Sequence, residues 1–210
     1  MIVVDIEVPG LFPEEHGIYQ IGAIDLNNPN NTFLEEARID EEDKVLENAL
    51  TIIGKTEEEV RDSNKQSQKQ LLQNFFKWTS KIEDRTLISY NASFDYGFLT
   101  LKARKYGLEC PIHYRTFDLH VIAAMKYLEI NKEFPIEGGK SIMHLPKTIE
   151  MCGMKDERIQ LKDGKVIQEG KPHNALEDAK LEAECFSRLI YGKNLLPEYK
   201  KFPIPKNLKQ

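Results

Sequence analysis

The chain has 210 residues, 40% hydrophobic and 30% charged, with a net charge of −5. That length suits one domain with a full core. The acidic balance excludes a protein that grips long nucleic acid through a broadly basic face. No apolar run is long enough to span a bilayer, so no membrane partner is expected. Residues 1–7 form an apolar run ending in acids, read as a buried strand rather than a signal peptide. Gly17–Leu26 and Thr32–Ile39 are the next candidate strands. Thr56-Glu57-Glu58-Glu59 has the form of a capping box opening a helix. Gln66–Ile82 follows as a helix, with Leu71, Leu72, Phe75 and Phe76 at helical spacing. Thr86–Tyr90 is a short strand, and Ser93–Tyr106 a helix ending at Gly107. Arg115–Asp118 is a short strand before a helix at Leu119–Tyr127. Gly138-Gly139 marks a loop, with Ser141 expected to cap another helix. Lys162-Asp163-Gly164-Lys165 predicts a hairpin turn. Asn174 caps a last helix running to about Ile190, and the tail from Leu195 is expected to be irregular. Strands first in a cluster, then alternating with helices, predict an α/β fold: a mixed sheet flanked by helices.

The cysteines, Cys110, Cys152 and Cys185, are too scattered for a disulfide framework or a zinc site. They point to a reducing, cytoplasmic setting.

Three groups of residues carry potential chemistry. Asp5 and Glu7 end the first strand, and side chains at i and i+2 share one face. Two adjacent carboxylates repel, and a divalent cation offsets that repulsion. The spacing alone is weak, since Asp40-Glu41-Glu42 repeats it without an apolar strand before it. Asp95 falls in the first turn of the helix after Thr86–Tyr90. The helix dipole favours an acid there in any protein, but strand ends are also where ligand groups collect in α/β sheets. His173 lies just outside the last helix, on a segment expected to be mobile, and Asp178 stands just past that helix's first turn. His113 and Asp118 share this spacing, so it too is weak alone.

Taken together, D-I-E closing an apolar strand, N-A-S-F-D opening a helix and H-N-A-L-E-D-A opening the last helix resemble the DEDDh family of 3′–5′ exonucleases. That family includes the proofreading subunit of bacterial replicative polymerase, ribonuclease T and oligoribonuclease. The resemblance spans Ile2 to Leu189, and Tyr19-Gln20-Ile21-Gly22-Ala23 is similar to the family's second strand. It implies a ribonuclease H-like mixed five-stranded sheet. The exonuclease domain would cover residues 1–192, with 193–210 as the tail. It also implies that Asp5, Glu7, Asp95 and Asp178 hold two divalent cations, with Asp5 bridging them. Hard oxygen ligands without cysteine select Mg²⁺ or Mn²⁺. His173 is then the general base, suited by an ordinary imidazole pKa, and Glu7 also meets the 3′-hydroxyl. The substrate would be a single-stranded DNA or RNA 3′ end, released as nucleoside 5′-monophosphates. Relatives of the ribonuclease T type work as dimers, so a homodimer is admitted. With no polymerase domain in the chain, proofreading would need a polymerase partner chain.

The first motif departs from the family at Val8-Pro9. Val8 keeps the backbone N–H that would help seat a terminal nucleotide, whereas Pro9 has none. A catalytically impaired nucleic-acid-binding module on the same fold is therefore the alternative. Phe12 and Phe94 are candidates to stack on a terminal base, with core packing the stronger role for Phe94. The tail lysines, Lys200, Lys201, Lys206 and Lys209, read as a solvated terminus.

Overall fold

Strand β1 (Ile2–Glu7) runs through the middle of a five-stranded sheet in the computed structural model, which describes residues 1–162 and 164–209. Strands β2 (Gln20–Asp25) and β3 (Asn28–Glu36) extend the sheet on one side by antiparallel pairing. After them come helices α1 (Glu47–Ile53), α2 (Glu57–Val60) and α3 (Gln68–Thr79). Strand β4 (Leu87–Ser89) then pairs parallel with β1. Helix α4 (Ala92–Lys105) leads to β5 (Phe117–Asp118), which pairs parallel with β4. The order β3-β2-β1-β4-β5 is the expected mixed sheet. Its parallel half needs helical crossovers, and α3 and α4 supply them.

The pleat of β1 sorts its residues by parity. Ile2, Val4 and Ile6 pack with Leu71, Phe75 and Phe98 of α3 and α4. Val3 packs on the other face, with α5 (Leu119–Asn131), α6 (Leu145–Met151) and α7 (Ala175–Tyr191). Asp5 and Glu7 share the parity of Val3, so they face the α7 layer.

Several boundaries differ from the sequence reading. Helix α1 has no counterpart in that reading; its N-cap, Leu46, makes no side-chain cap, so no local signal marks its start. Ser141 does not cap a helix. It lies in a small hairpin of β6 (Ile136–Glu137) and β7 (Lys140–Ser141). Helix α6 starts later, where His144 accepts from Lys147 N and Pro146 sits in the first turn. The second hairpin is present as β8 (Gln160–Lys162) and β9 (Lys165–Gln168), although Asp163 of its turn lies outside the described residues. The tail, expected as irregular, holds two short 3-10 turns, Pro197–Tyr199 and Lys206–Leu208, and buries Leu196 and Leu208 against the α7 layer. Arg188 of α7 holds it there, donating to the carbonyls of Tyr199 and Phe202 at 2.9 and 3.1 Å.

Candidate active site

The N-terminus of α7 is set directly on the sheet beside β1. Asn174 caps it, its side chain accepting from Glu177 N at 3.2 Å. Gln20 of β2 accepts from Ala175 N at 2.7 Å. These two bonds satisfy donors that a helix start leaves unpaired. Gly22, the register partner of Asp5, makes room for the approach. Asp178, in the first turn of α7, is thereby held beside β1.

Asp95 arrives from the opposite layer. Helix α4 starts at Asn91, which is left-handed (φ 61°) and gives no side-chain cap. Asp118 replaces that cap, accepting from Ala92 N at 3.2 Å, and also caps α5 through His120 N at 2.9 Å. The comparison pair His113 and Asp118 thus holds a structural acid. Asp95 lies one turn in, accepting from Ser89 Oγ at the end of β4.

The structure brings all five expected polar residues, Asp5, Glu7, Asp95, Asp178 and His173, into one neighbourhood. It adds a fifth carboxylate, Glu182, one helical turn after Asp178, which accepts from Tyr90 N at 3.1 Å. Glu7, Asp95, Asp178 and Glu182 are 7%, 3%, 3% and 1% exposed. Burial, then repulsion from Glu7, Asp178, Glu182 and Asp95, lifts the Asp5 carboxyl well above its usual range. Burial does the same to Glu7 and Glu182, with like charges adding to it. Burial pushes Asp95 up to about 7, against the lowering effect of its bond from Ser89. Asp178 is also raised by burial, opposed by the cation of Arg158.

His173 is tied down at both ends, contrary to the expectation of a mobile segment. Its backbone N–H donates to Ile52 O at 3.0 Å, and its Nε2 lies 3.0 Å from Ile159 O. A carbonyl only accepts, so the proton is assigned to Nε2 and the neutral ring presents Nδ1 as an acceptor. Nδ1 stands 3.3 Å from Asp178 Oδ2. Burial lowers the imidazole pKa, which keeps the ring neutral and able to take a proton.

A cation, Arg158, belongs to this cluster. It lies in the segment before β8 and donates from Nε and Nη2 to the two oxygens of Asp156, both at 2.9 Å. Its Nη1 lies 3.2 Å from Asp178 Oδ2.

Asp5, Glu7, Asp178 and Glu182 open onto a cavity of about 800 Å³, bounded by Leu145 and Pro146 on one side and by Ile159 and the hairpin residues Leu161 and Ile167 on another; Asp95 is not among its described lining residues. Val8, Phe12 and Phe94 are not among the described residues lining it. Val8 packs on the core, Phe12 is exposed, and Phe94 rests 4.9 Å from the Phe98 ring. The sequence reading missed Glu182 and Arg158. Glu182 was findable, because i+4 on a helix lies on the face of Asp178. Arg158 had no local signal.

Glu7 Oε1 is buried without a hydrogen-bond partner among the described residues. One ligand atom each from Glu7, His173 and Asp178 fall within 4.8 Å of one another. An orphaned carboxylate oxygen among other acids suits a divalent cation, which supplies the missing partner and offsets the repulsion. The donor set is hard oxygen, with one imidazole.

Comparisons with known proteins identify the family and the fold. The RNase_T family model, described as exonuclease, matches residues 2–186. The PolC-type DNA polymerase III of Thermotoga maritima is 25% identical over 190 residues, covering 90% of this chain and 12% of that protein. The same protein of Thermotoga petrophila matches to the same extent. The chain thus spans about 12% of the length of the curated relatives it matches. Among solved structures, the nuclease domain of 3′hExo, a DEDDh family member bound to rAMP, superposes with a TM-score of 0.62 at 17% identity, covering 93% of each chain. Exonuclease I (apo) superposes at 0.67 and 15% identity, over 91% of this chain and 42% of that one. Cell-death related nuclease 4 does so at 0.66 and 14% identity, over 92% and 64%. At these identities the structural likenesses establish the fold.

Proposed function

The chain belongs to the RNase_T exonuclease family, and from that membership we propose that it is a metal-dependent 3′–5′ exonuclease acting on single-stranded DNA or RNA ends. The observation that carries the reading is the orphaned, buried Glu7 Oε1 beside Asp178 and His173. A binding module has no need to bury repelling acids with one left unpartnered. One structural neighbour is a 3′-exonuclease with 3′-end specific recognition of a histone mRNA stem-loop, and another was solved bound to rAMP. Both support a nucleic-acid 3′ end as the substrate here.

Asp5, Glu7, Asp95 and Asp178 would hold two divalent cations, Mg²⁺ or Mn²⁺. Cations held there supply an activated water and offset charge on the leaving oxygen. The chain's own groups do the rest. His173 Nδ1 accepts the proton of the attacking water, while Ile159 O keeps the other ring nitrogen protonated and the ring in place. Asp178 beside Nδ1 stabilises the imidazolium that results. Glu7 meets the 3′-hydroxyl of the terminal nucleotide. Phe12, exposed in the loop after β1, offers a platform for the terminal base, and the Val8 N–H a contact to that nucleotide. Pro9 is fixed by its carbonyl, which accepts from Leu46 N at 2.8 Å, so the altered motif is a rigid one.

The PolC-type relatives, of whose length this chain spans 12%, suggest a polymerase context. The described helices include none long and apolar enough to cross a membrane.

The test is turnover of 5′-labelled and 3′-labelled single-stranded DNA and RNA with Mg²⁺, Mn²⁺ or EDTA, beside Asp178→Ala. A ladder shortening from the 3′ end, mononucleotide release, a metal requirement and a dead variant are expected. Equal turnover by both proteins would refute the chemistry. No turnover with tight strand binding would favour the binding module.

A further inference from the structure

The cavity poses an electrostatic problem that the four expected acids do not answer. Among its described lining residues are five carboxylates, Asp5, Glu7, Asp156, Asp178 and Glu182, and only two cations, Arg158 and Lys162. A phosphodiester is an anion; cations held by the acids would offset part of this acidic wall, and a fixed positive group of the protein itself adds to that attraction. Lys162 is exposed, whereas the Arg158 side chain is 11% exposed and locked. Asp156 holds it as a two-pronged fork, and the Arg158 backbone is held as well, its carbonyl accepting from Gln168 Nε2 at 2.9 Å. The fork leaves Nη1 aimed at the Asp178 carboxylate on the cavity wall. The pair with Asp156 uses Nε and Nη2, so Nη1 is the group left to meet a second anion.

We propose that Arg158 receives the substrate's phosphodiester in this cavity, with Asp156 as the positioning residue that aims its guanidinium. The inference rests on the exonuclease reading for the identity of the substrate. A guanidinium suits the task because it stays charged and presents parallel N–H groups to phosphate oxygens, which an ammonium cannot do.

The experiment measures binding of a fluorescein-labelled single-stranded oligonucleotide in EDTA by anisotropy, and KM and kcat with Mg²⁺, for the native protein, Arg158→Ala, Arg158→Lys and Asp156→Asn. Losing one phosphate contact weakens binding about tenfold and reduces the salt dependence by about one ion. Arg158→Ala should therefore raise Kd and KM by that order with a smaller change in kcat. Arg158→Lys should recover part of the affinity, and Asp156→Asn should fall between. Thermal melts show whether each variant folds; if Arg158→Ala does not, Arg158→Lys keeps the charge and still reads the lost fork as a several-fold rise in Kd. Binding by the folded variants within twofold of native would overturn the proposal. A native protein that binds the strand through Arg158 without hydrolysing it would refute the exonuclease reading and leave this one standing. Native turnover with binding indifferent to Arg158 would do the reverse.

Discussion

Gly22 of β2 lies directly against Ala175, the first residue of α7. A Cβ on Gly22 would stand 2.1 Å from the Ala175 carbonyl carbon and 2.1 Å from Leu176 N. Both obstacles are backbone, so neither can rotate away. The contact sets the distance between Asp5, which pairs with Gly22, and Asp178, one turn along α7. Gly22→Ala should therefore force α7 off the sheet. Overpacking of this kind costs about 1–3 kcal/mol, and a displaced Asp178 should lower turnover by a larger factor than the stability loss explains. Urea melts and steady-state kinetics read the two effects. A variant with native stability and rate would show that the helix tolerates a different seat.

The metal-free protein should become less stable as pH rises. Asp5, Glu7, Asp95 and Glu182 all have raised pKa values in the folded state, Asp95 to about 7. A carboxyl raised on folding stabilises fully below the unfolded carboxylate range, and that contribution is lost as pH rises through the folded pKa. In EDTA, the melting temperature should fall between about pH 5 and pH 8. Saturating Mg²⁺ or Mn²⁺ should restore it at the upper end, because a ligand that binds only the folded state stabilises it. Glu182→Gln keeps the acceptor for Tyr90 N and removes one charge, so it should flatten the metal-free profile. A profile that rises with pH in EDTA would contradict the crowding of buried acids.

His173→Ala should slow hydrolysis by about 10²–10⁴-fold, the range for loss of a general base. Metal affinity, followed by titration calorimetry with Mn²⁺, should change little. A large loss of affinity would make His173 a ligand instead, as its closeness to Glu7 and Asp178 also allows.

Removing the tail from Leu195 onward should unfold the domain or leave it barely stable. Glu184 Oε2 accepts from Leu195 N and Leu196 N at 2.8 and 2.9 Å, and Arg188 donates to Tyr199 O and Phe202 O. Glu184 and Arg188 are both fully buried. The Glu184–Arg188 pair would keep its own bond at 2.8 Å but lose these backbone partners, and a hydrogen bond to a charged group contributes about 1.5–3 kcal/mol; Leu196 and Leu208 would also be lost from the core. Circular dichroism melts of the shortened chain test this. An unchanged melting temperature would show that the tail is a passive appendage.

Much of this site was legible in local spacing. The parity of Ile2-Val3-Val4-Asp5-Ile6-Glu7 is enough to place both acids on the face of Val3. Asn174 as a cap is enough to place Asp178 at the start of the last helix, expected just past its first turn and found within it. The position of a Gly in the second strand was visible, although its reason, the backbone of Ala175, was not. Local rules work there because a strand's pleat and a helix's first turn are set by residues only a few positions apart.

What the tertiary structure alone decided lies between distant segments. Arg158 reaches Asp178 because the chain before β8 pairs with the segment leading into α7, Ile159 N donating to Lys171 O and Lys171 N to Glu157 O, both at 2.9 Å. Ile159 O meets His173, and so selects its tautomer, for the same reason. Ser141 lost its expected role as a cap because a hairpin claimed it, and α1 formed without a cap of its own. The sequence by itself determined the kinds of groups and the faces they occupy. Packing determined their distances, and through burial their protonation, because repulsion and desolvation depend on separations in space.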